Sequence, residues 1–451
     1  LEFRRVLFRS GLFTDTYFPQ VSGVSTSIRT LKEGLEKEGH EVYIFTTTDR
    51  NVKRFEDPTI IRLPSVPFIS FTDRRVVYRG LISAYRIAKD YELDIIHTQT
   101  EFSLGLLGKL VAKALRIPVV HTYHTQYEDY VGYIAKGKLI KPSMVKYIMR
   151  TYLSDLDGVI CPSRIVLNLL DGYGVKIPKQ VIPTGIPVEN YRREDISEET
   201  IKNLRTELGL ADNDTMLLSL SRVSFEKNIQ AILMHLSAVV DENPHVKLVI
   251  VGDGPYLSDL KELVHSLELE NSVIFTGMVE HSQVAIYYKA CDFFISASTS
   301  ETQGLTYIES LASGRPIIAQ SNPYLDDVIS DKMFGTLYKK ESDLADAILD
   351  AIAETPKMTQ EAYEQKLYEI SAENFSKSVY AFYLDFLISQ KASVKEKVSL
   401  TIGNKDSHST LRFVRKAVYL PKKVFTFTGR ASKKVVKAPK RRISSIRDFL
   451  D

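Results

Sequence analysis

The feature that most constrains the fold is a strand–helix alternation that occurs twice along the chain. Short apolar runs, each followed by an amphipathic stretch, fill residues 11–163 and begin again near residue 216. Continuous apolar runs of this length predict strands buried on both faces, as in parallel sheets. The pattern therefore predicts an α/β protein with two doubly wound domains. The runs are GLFTD, EVYIFTT, DIIHTQ, PVVHTYH and GVICPS, then MLLSLSR, HVKLVIVGDG, SVIFTG, DFFISAS, RPIIAQS and GTLYK.

Domain boundaries follow from where this alternation stops and restarts. We expect an N-terminal Rossmann-like domain over 11–190 and a C-terminal one over 191–372, facing each other across a cleft. Residues 373–391 predict a helix that packs back on the N-terminal domain, and 392–451 form a basic tail. Residues 1–10, LEFRRVLFRS, place charges where a buried strand should be apolar, so we interpret them as a non-native leader outside the fold.

Composition narrows the class of protein. The chain has 451 residues, of which 44% are hydrophobic and 25% charged, as in an ordinary globular protein. Its two cysteines, Cys161 and Cys291, lie far apart and predict neither a disulfide framework nor a zinc site. No apolar run approaches the length of a membrane span, and we expect a cytoplasmic protein.

Charge is distributed unevenly along the chain. Residues 401–451 contain 14 Lys and Arg against 3 Asp and Glu, a balance of +11, whereas the remainder carries −8. Such a tail predicts binding to an anionic surface. Nucleic acid is the less favoured partner, because the body shows no basic stripe interleaved with aromatic residues. The tail residues expected to face a membrane are Lys422, Lys423, Lys440, Arg441 and Arg442.

Two glutamates, Glu301 and Glu309, flank a predicted helix start in SETQGLTYIESLASG. Backbone N–H groups at a helix N-terminus suit a phosphate, and Gly304 permits close approach of a ligand. The two carboxylates could hold opposite ends of a long ligand such as a nucleotide sugar. On these residues alone, two unrelated surface glutamates are the favoured interpretation.

Cations and glycines follow other predicted strands on the same side. Arg222 and Lys227, in SRVSFEKN, could neutralise a diphosphate, or could be ordinary exposed residues. Gly252, in VGDGP, is a weak candidate, because many strand–helix turns look alike. Gly23 lies just before a predicted helix, where its amide could face the same phosphate or belong to a plain turn. His124 follows a strand end and could lie in the cleft, although a lone histidine is usually structural.

Together these motifs resemble the retaining, nucleotide-sugar-dependent glycosyltransferases of the GT-B fold, in the family that includes bacterial diacylglycerol glucosyltransferases. The motifs are YFPQVSGVSTS, HTYHTQYEDY, SRVSFEKN, VGDGP and SETQGLTYIE, the last with two glutamates separated by seven residues. The sequence departs from the family where Ser22-Gly23 replaces a Gly-Gly pair and where Thr302-Gln303-Gly304 replaces Gly-Phe-Gly. The glutamine form and HTYHTQYEDY favour the lipid glucosyltransferases.

The resemblance implies a role for each candidate residue. Arg222 and Lys227 would bind the donor diphosphate and stabilise the leaving nucleotide, and Glu309 would hold the ribose. Glu301 would meet the donor sugar, and His124 would lie by its reacting side. The backbone of a further set would contact sugar or phosphate. These residues are Gly23, Gly252, Gln303, Gly304 and Leu305.

The implied reaction moves glucose from UDP-glucose to diacylglycerol with retention, without a metal or other cofactor. The pairs Asp155/Asp157 and Asp212/Asp214 we interpret as loop or helix-end acids. A helix starting at Pro142, with an apolar side and Lys146 and Arg150 opposite, suggests a peripheral enzyme on the inner face of the cell membrane. Another hydroxylated acceptor, such as an already glycosylated lipid or a cell-envelope polymer precursor, and a sugar-nucleotide epimerase remain alternatives.

Overall fold

The structure, a computed structural model, describes residues 7–20, 22–49, 52, 57–68, 71–124, 142–298, 301–354 and 357–403. Two parallel sheets dominate it, and both carry helices on their faces. The first sheet has the strand order β3-β2-β1-β6-β7-β8-β9, and the second has the order β12-β11-β10-β13-β14-β15. A separate antiparallel hairpin pairs β4 with β5. The predicted architecture of two doubly wound domains is confirmed.

The strands coincide with the apolar runs of the sequence. Strands of the first domain are β1 (Arg9–Phe13), β2 (Glu41–Thr47), β3 (Ile60–Leu63), β4 (Ser65–Phe68), β5 (Phe71–Val77), β6 (Ile95–Thr98), β7 (Val119–Thr122), β8 (Gly158–Cys161) and β9 (Lys179–Val181). Those of the second domain are β10 (Thr215–Leu220), β11 (Val246–Val251), β12 (Val273–Gly277), β13 (Phe293–Ser296), β14 (Ile317–Gln320) and β15 (Gly335–Tyr338).

The helices alternate with these strands. In the first domain and the connection they are α1 (Gly23–Lys37), α2 (Leu81–Asp90), α3 (Ser103–Leu115), α4 (Pro142–Leu153), α5 (Arg164–Gly172) and α6 (Glu189–Arg192). The second domain continues with α7 (Glu198–Glu207), α8 (Ile229–Glu242), α9 (Leu257–Ser266), α10 (Val284–Ala290), α11 (Leu305–Ala312), α12 (Pro323–Val328), α13 (Leu344–Glu354), α14 (Gln360–Glu369) and α15 (Ala372–Gly403).

The end of the presumed leader belongs to the fold. Arg9 and Ser10 open β1, which lies between β2 and β6, and Phe8 is buried against the ring of His40. Their polarity made a place in a buried strand unexpected. The Arg9 side chain, however, lies at the strand start, where Glu41 and Glu92 each bind it at 3.1 Å. Excluding residues 8–10 from the fold was therefore wrong, and residues 1–6 lie outside the described part of the chain.

Within the described residues the chain crosses between the domains twice. The first crossing is residues 182–187, and the second leads from Ile370 into α15. The crossings hydrogen-bond to each other: the Ile186 amide donates to the Ile370 carbonyl at 2.9 Å, and the Ala372 amide donates to the Ile186 carbonyl at 2.8 Å. Because the two connections are joined, they form one narrow junction between the domains.

Helix α15 returns to the first domain. Its buried side chains join those of α1 and the first sheet in one apolar cluster, which includes Ile28, Leu31, Phe375, Val379 and Tyr383. The helix runs to Gly403, well beyond the end expected at residue 391. The first domain thus contains a segment from the far end of the described chain.

Candidate active site

Lys227 and Glu301 meet at the carboxyl edge of the second sheet. Strands β10 and β13 are parallel neighbours, so the loops that follow them lie side by side. The Lys227 ammonium donates to Glu301 Oε1, and Ser298 Oγ donates to the same oxygen at 3.3 Å. Both charged side chains keep about a fifth of their surface exposed. The structure therefore brings together a cation and a carboxylate that the sequence placed in one site.

Helix α11 begins at Leu305, at the end of the short loop that contains Glu301. Gly304 precedes it with φ of 79°, and a Cβ at this position would lie 2.6 Å from the Tyr307 ring, so only glycine fits without displacement. Leu305 opens the helix, and amides of a first turn have no acceptor within the helix. The helix dipole adds positive potential there. This end of α11 can therefore accept an anionic group beside Lys227.

Glu309 lies on the same helix, facing two tyrosines. Tyr288 donates a hydrogen bond to Glu309 Oε2 at 3.0 Å, and Tyr191 donates a second one. Burial raises the pKa of the Glu309 carboxyl, and the two phenol groups partly offset that rise because they favour the charged form. Neither tyrosine was predicted from the sequence. Each lies far from Glu309 along the chain, so no local motif signals the contact.

Arg222 and Gly252 occupy adjacent loops with different roles. Arg222 is exposed immediately after β10, on the ligand side of the sheet. A Cβ on Gly252 would lie 1.9 Å from the Ser221 carbonyl oxygen, and the Gly252 amide already donates to Gly277 at 2.9 Å. A direct contact between that amide and the donor is therefore not supported. Gly252 instead permits the close packing that supports the Arg222 loop.

Gly23 and His124 are the candidate site residues of the first domain. Gly23 is exposed at the start of α1, with open space where a side chain would be, so its amide can approach a ligand. His124 follows β7, and its Nε2 lies 2.7 Å from Gln99 Oε1. Burial, and then the neighbouring His121, lower the pKa of His124 to about 3. The imidazole is therefore neutral at physiological pH.

A buried polar cluster at the same edge of the first sheet was not predicted. Asp15 accepts hydrogen bonds from Thr100 Oγ1 at 2.7 Å and from the Leu104 amide at 3.1 Å, which ties the end of β1 to the start of α3. Burial raises the pKa of Asp15. Glu101 and His121 pair at 3.2 Å beside it. The sequence hint was a run of polar residues directly after apolar strands, as in LFTD and IIHTQTE.

Residues expected to face a membrane divide into two groups. Lys146 and Arg150 are exposed on α4, which begins at Pro142 as predicted, and the Lys146 ammonium donates to the Gly172 carbonyl at 2.7 Å. The apolar stripe of α4 is split, because Val145 and Met149 enter the core while Met144, Tyr147 and Ile148 stay exposed. The five basic tail residues from Lys422 to Arg442 lie outside the described residues.

One aspartate of each pair serves the fold. Asp157 Oδ2 accepts from the Val119 amide at 2.7 Å, and Asp214 Oδ2 accepts from the Ala211 amide at 2.8 Å. Both cysteines are free and buried. Within the described ranges no group of three His, Cys, Asp or Glu residues is placed to hold a metal ion. In the same ranges no helix is long and apolar enough to cross a membrane.

Comparison with known proteins gives two family matches and close relatives. Residues 21–190 match Glycosyltransferase Family 4, and residues 200–367 match Glycosyl transferases group 1. The chain is 59% identical to alpha-monoglucosyldiacylglycerol synthase of Streptococcus pneumoniae over 98% of both chains. It is 32% identical to the synthase of that name from Acholeplasma laidlawii, with 86% of this chain and all of the relative covered. The chain belongs to the GT-B glycosyltransferases.

Solved structures agree with the fold of this glycosyltransferase. Sucrose-phosphate synthase from Thermosynechococcus elongatus matches with a TM-score of 0.66 and 20% identity, covering 85% of this chain and all of that one. The Anabaena protein HepE in complex with UDP matches with a TM-score of 0.62 and 18% identity, covering 87% of this chain and all of that one. Both likenesses concern the two-domain architecture.

Proposed function

We propose that this glycosyltransferase moves glucose from UDP-glucose to the free hydroxyl of diacylglycerol and retains the anomeric configuration. The observation that carries the proposal is the near-full-length identity to the pneumococcal alpha-monoglucosyldiacylglycerol synthase. The site geometry supports it, because a cation, a helix N-terminus and two carboxylates lie along the edge of the second sheet, where a nucleotide sugar would bind. An acceptor hydroxyl would approach from the first domain.

Charge stabilisation of the leaving group is the main task of the site. Lys227 and Arg222 bind the diphosphate, and the first amides of α11 and of α1 approach it from either side. Glu309 accepts hydrogen bonds from the ribose hydroxyls, since two tyrosines already orient its carboxylate. Glu301 contacts the glucose. These assignments follow the family motif residue by residue, and mutagenesis of each tests them.

The transfer proceeds on one face of the sugar. The acceptor oxygen forms a bond to the anomeric carbon as the bond from that carbon to the diphosphate oxygen breaks. The hydroxyl proton passes to the departing diphosphate, so the products are UDP and α-glucosyldiacylglycerol. His124 lies near this carbon as a neutral ring. A neutral imidazole can hydrogen-bond a sugar hydroxyl without opposing the positive charge that develops on the sugar.

The acceptor lipid requires contact with a membrane, and the first domain exposes a suitable surface. Phe102, which directly precedes α3, and Leu106 and Leu110 on α3 are each more than half exposed and follow one another at four-residue spacing. The neighbouring helix α2 adds Leu81 and Ile82. Exposed apolar residues grouped in this way mark an interaction surface. We name this set the apolar face.

The first domain also exposes basic side chains at α2, α3 and α4. They are Arg79, Arg86, Lys113, Lys146 and Arg150. Cations on a domain with exposed apolar groups favour an anionic lipid surface, at about 1 kcal/mol for each residue close to it. The proposed location is therefore the surface of an anionic membrane, where diacylglycerol is available.

The decisive experiment is turnover by the full chain. The protein is incubated with labelled UDP-glucose and with vesicles that contain or lack diacylglycerol, and the lipid product is analysed by nuclear magnetic resonance for an α linkage. Labelled α-glucosyldiacylglycerol is expected only when diacylglycerol is present. Lys227→Ala should lower the rate at least 100-fold, whereas Lys332→Ala, an exposed lysine remote from β10 and β13 along the chain, should not. An epimerised sugar nucleotide as the sole product would refute the proposal.

A further inference from the structure

Gln303 directs its side chain away from the donor and toward the first crossing between the domains. It keeps only 4% of its surface exposed. Its Oε1 accepts from the Thr184 amide at 2.8 Å, and its Nε2 donates to the Thr184 carbonyl at 2.7 Å. The primary amide therefore pairs with both backbone groups of one residue, as a neighbouring strand would. This role of the Gln303 side chain is separate from the backbone contact with the donor that the family resemblance implies.

Thr184 connects this pair to the first domain. It lies in the first crossing, two residues before Ile186, which hydrogen-bonds to the second crossing. The Thr184 hydroxyl lies 2.9 Å from Ser27 Oγ on α1, the helix that begins at Gly23. Gln303 thus contacts a segment that is held at once by the junction and by the phosphate-facing helix of the first domain.

Thr302 makes a second connection from the adjacent position. Its hydroxyl donates to the His124 carbonyl at 3.0 Å, and Ser163 Oγ donates to the Thr302 carbonyl. His124 and Ser163 both belong to the first domain. Two consecutive residues of the loop 301–304 therefore bind the first domain at separate points, although the loop itself follows a strand of the second domain. We name residues 301–304 the donor loop.

We propose that Thr302 and Gln303 are positioning residues that lock the donor loop to the first domain, so that cleft closure and ordering of the donor site occur as one event. The inference rests on the proposed function only in assuming that the donor loop binds a nucleotide diphosphate. Movement of the first domain away from the second would break these hydrogen bonds and release Glu301 and the start of α11. A closed cleft would hold them, together with His124, in one arrangement.

The hydrogen bonds between Gln303 and Thr184 require the primary amide of a glutamine side chain. A glutamine side chain presents a donor and an acceptor side by side, which the two groups of Thr184 require. Gln303→Glu would place a second acceptor against the Thr184 carbonyl, and Gln303→Leu would leave both buried backbone groups unpaired. Thr302→Val removes only one hydroxyl, so it weakens the second connection with little risk to folding.

The experiment compares these variants in the full chain with Gln283→Glu, a control on an exposed glutamine of the second domain. Calorimetry measures UDP binding, and initial rates give KM for UDP-glucose and kcat. Spin labels at Lys89→Cys and Glu262→Cys, both exposed positions, report the distance between the domains. The native cysteines are buried and should stay unlabelled. Thermal melts verify that each variant is folded.

With Gln303 intact, UDP should narrow the distribution of distances between the domains. In Gln303→Glu and Gln303→Leu the dissociation constant for UDP should rise about tenfold. In these variants UDP should no longer narrow the distribution of distances between the domains. Thr302→Val should raise KM several-fold, and Thr302→Ser, which retains the hydroxyl, should recover the lost affinity. The control should match the unchanged chain.

Failure of the two proposals can be told apart. If UDP binds to the unchanged chain and the cleft closes but no glucolipid forms, the proposed function is refuted. The proposed coupling between cleft closure and the donor loop is then still supported. If Gln303→Leu binds UDP as tightly as the control and still closes, the coupling is refuted whatever the acceptor is. Absence of UDP binding by the unchanged chain would overturn both.

Discussion

At the scale of single residues, Lys227 has two possible partners. In the structure it binds Glu301, and in the proposed reaction it binds the donor diphosphate. A partly exposed ion pair of this kind contributes about 1 kcal/mol. The Glu301 carboxylate and the donor diphosphate therefore compete for the Lys227 ammonium. This competition predicts that removing the carboxylate charge has opposite effects on UDP affinity and on the turnover of UDP-glucose.

Glu301→Gln should separate those effects. Because the competing charge is removed, the affinity for UDP should stay equal or rise by up to about fivefold, which corresponds to about 1 kcal/mol. Turnover should fall at least 100-fold, since the contact with glucose is lost. Calorimetry with UDP and initial rates with UDP-glucose measure the two quantities. A parallel loss of both would show that Glu301 is needed for binding the nucleotide itself.

Tyr288→Phe should shift the pH dependence of donor binding. The pKa of Glu309 is already raised by burial, and the Tyr288 hydroxyl favours its charged form, so removing that hydroxyl should raise the pKa further. A protonated carboxyl accepts ribose hydrogen bonds poorly. UDP affinity is therefore expected to fall as pH decreases, with its midpoint at higher pH in the variant than in the unchanged chain.

The matched control for this pH series is Tyr368→Phe, which removes a hydroxyl from an exposed ring. Its profile should overlay that of the unchanged chain. Comparison of UDP with 2′-deoxy-UDP adds a second readout, because Tyr288→Phe should reduce the preference for the ribonucleotide. An unaltered preference together with an unaltered midpoint would contradict the role assigned to Glu309.

At the scale of elements, helices α1 and α15 pack unusually closely. A Cβ added at Gly34 would lie 2.6 Å from the Ser376 Cβ, which is too close for either helix to stay in place. Replacing glycine by alanine inside a helix normally stabilises it by about 0.5–1 kcal/mol. Here overpacking should outweigh that gain, so Gly34→Ala is expected to destabilise the protein by about 1–3 kcal/mol.

Gly172→Ala is the matched control, because the position lies on α5 with open space around it. Urea denaturation of the two variants should give opposite shifts in the midpoint. Stabilisation by Gly34→Ala would mean that α1 and α15 are more loosely packed than the structure shows.

The elements also show what sequence can predict. Strands such as β2 and β11 were found because a buried parallel strand is a continuous apolar run, and the start of α11 was marked by Gly304. The meeting of Lys227 with Glu301 followed from the rule that loops at one sheet edge converge. Contacts between residues distant along the chain were missed, since the partners of Glu309 and of Gln303 have no characteristic spacing from them.

The amphipathic pattern of α4 predicted the helix but not which of its apolar residues are buried. The pattern of α4 identified the helix and its first residue. It could not tell which apolar residues enter the core, because Val145 and Met144 are chemically alike and only packing against the first sheet separates them. The membership of Ser10 in β1 was missed because a small hydroxyl side chain can be buried in a crowded sheet.

At the scale of the whole molecule, the apolar face and the exposed basic side chains predict lipid binding by the first domain. Leu106→Glu, alone and with Ile82→Glu, should reduce binding to vesicles that contain anionic lipid by about tenfold. Both positions are exposed, so stability should change little. Met278→Glu is the control, since Met278 is 81% exposed on the second domain.

Cosedimentation with anionic and with neutral vesicles measures this binding, and removal of residues 404–451 separates the charge of the tail from that of the body. Unchanged binding after Leu106→Glu and Ile82→Glu would assign lipid contact to the tail or to another surface. Turnover of UDP-glucose in detergent micelles should be less sensitive to these changes than turnover on vesicles.

The return of α15 to the first domain has a consequence for how the protein is made. A ribosome synthesises a chain from its N-terminus to its C-terminus, and domains generally fold as they emerge. One side of α1 packs against α15, because Gly34 lies against Ser376, and Ile28 and Phe375 share one buried apolar cluster. Until α15 has been synthesised, this side of α1 therefore stays exposed to water. The second domain is synthesised before α15, so it can complete its own core while the first domain is still incomplete.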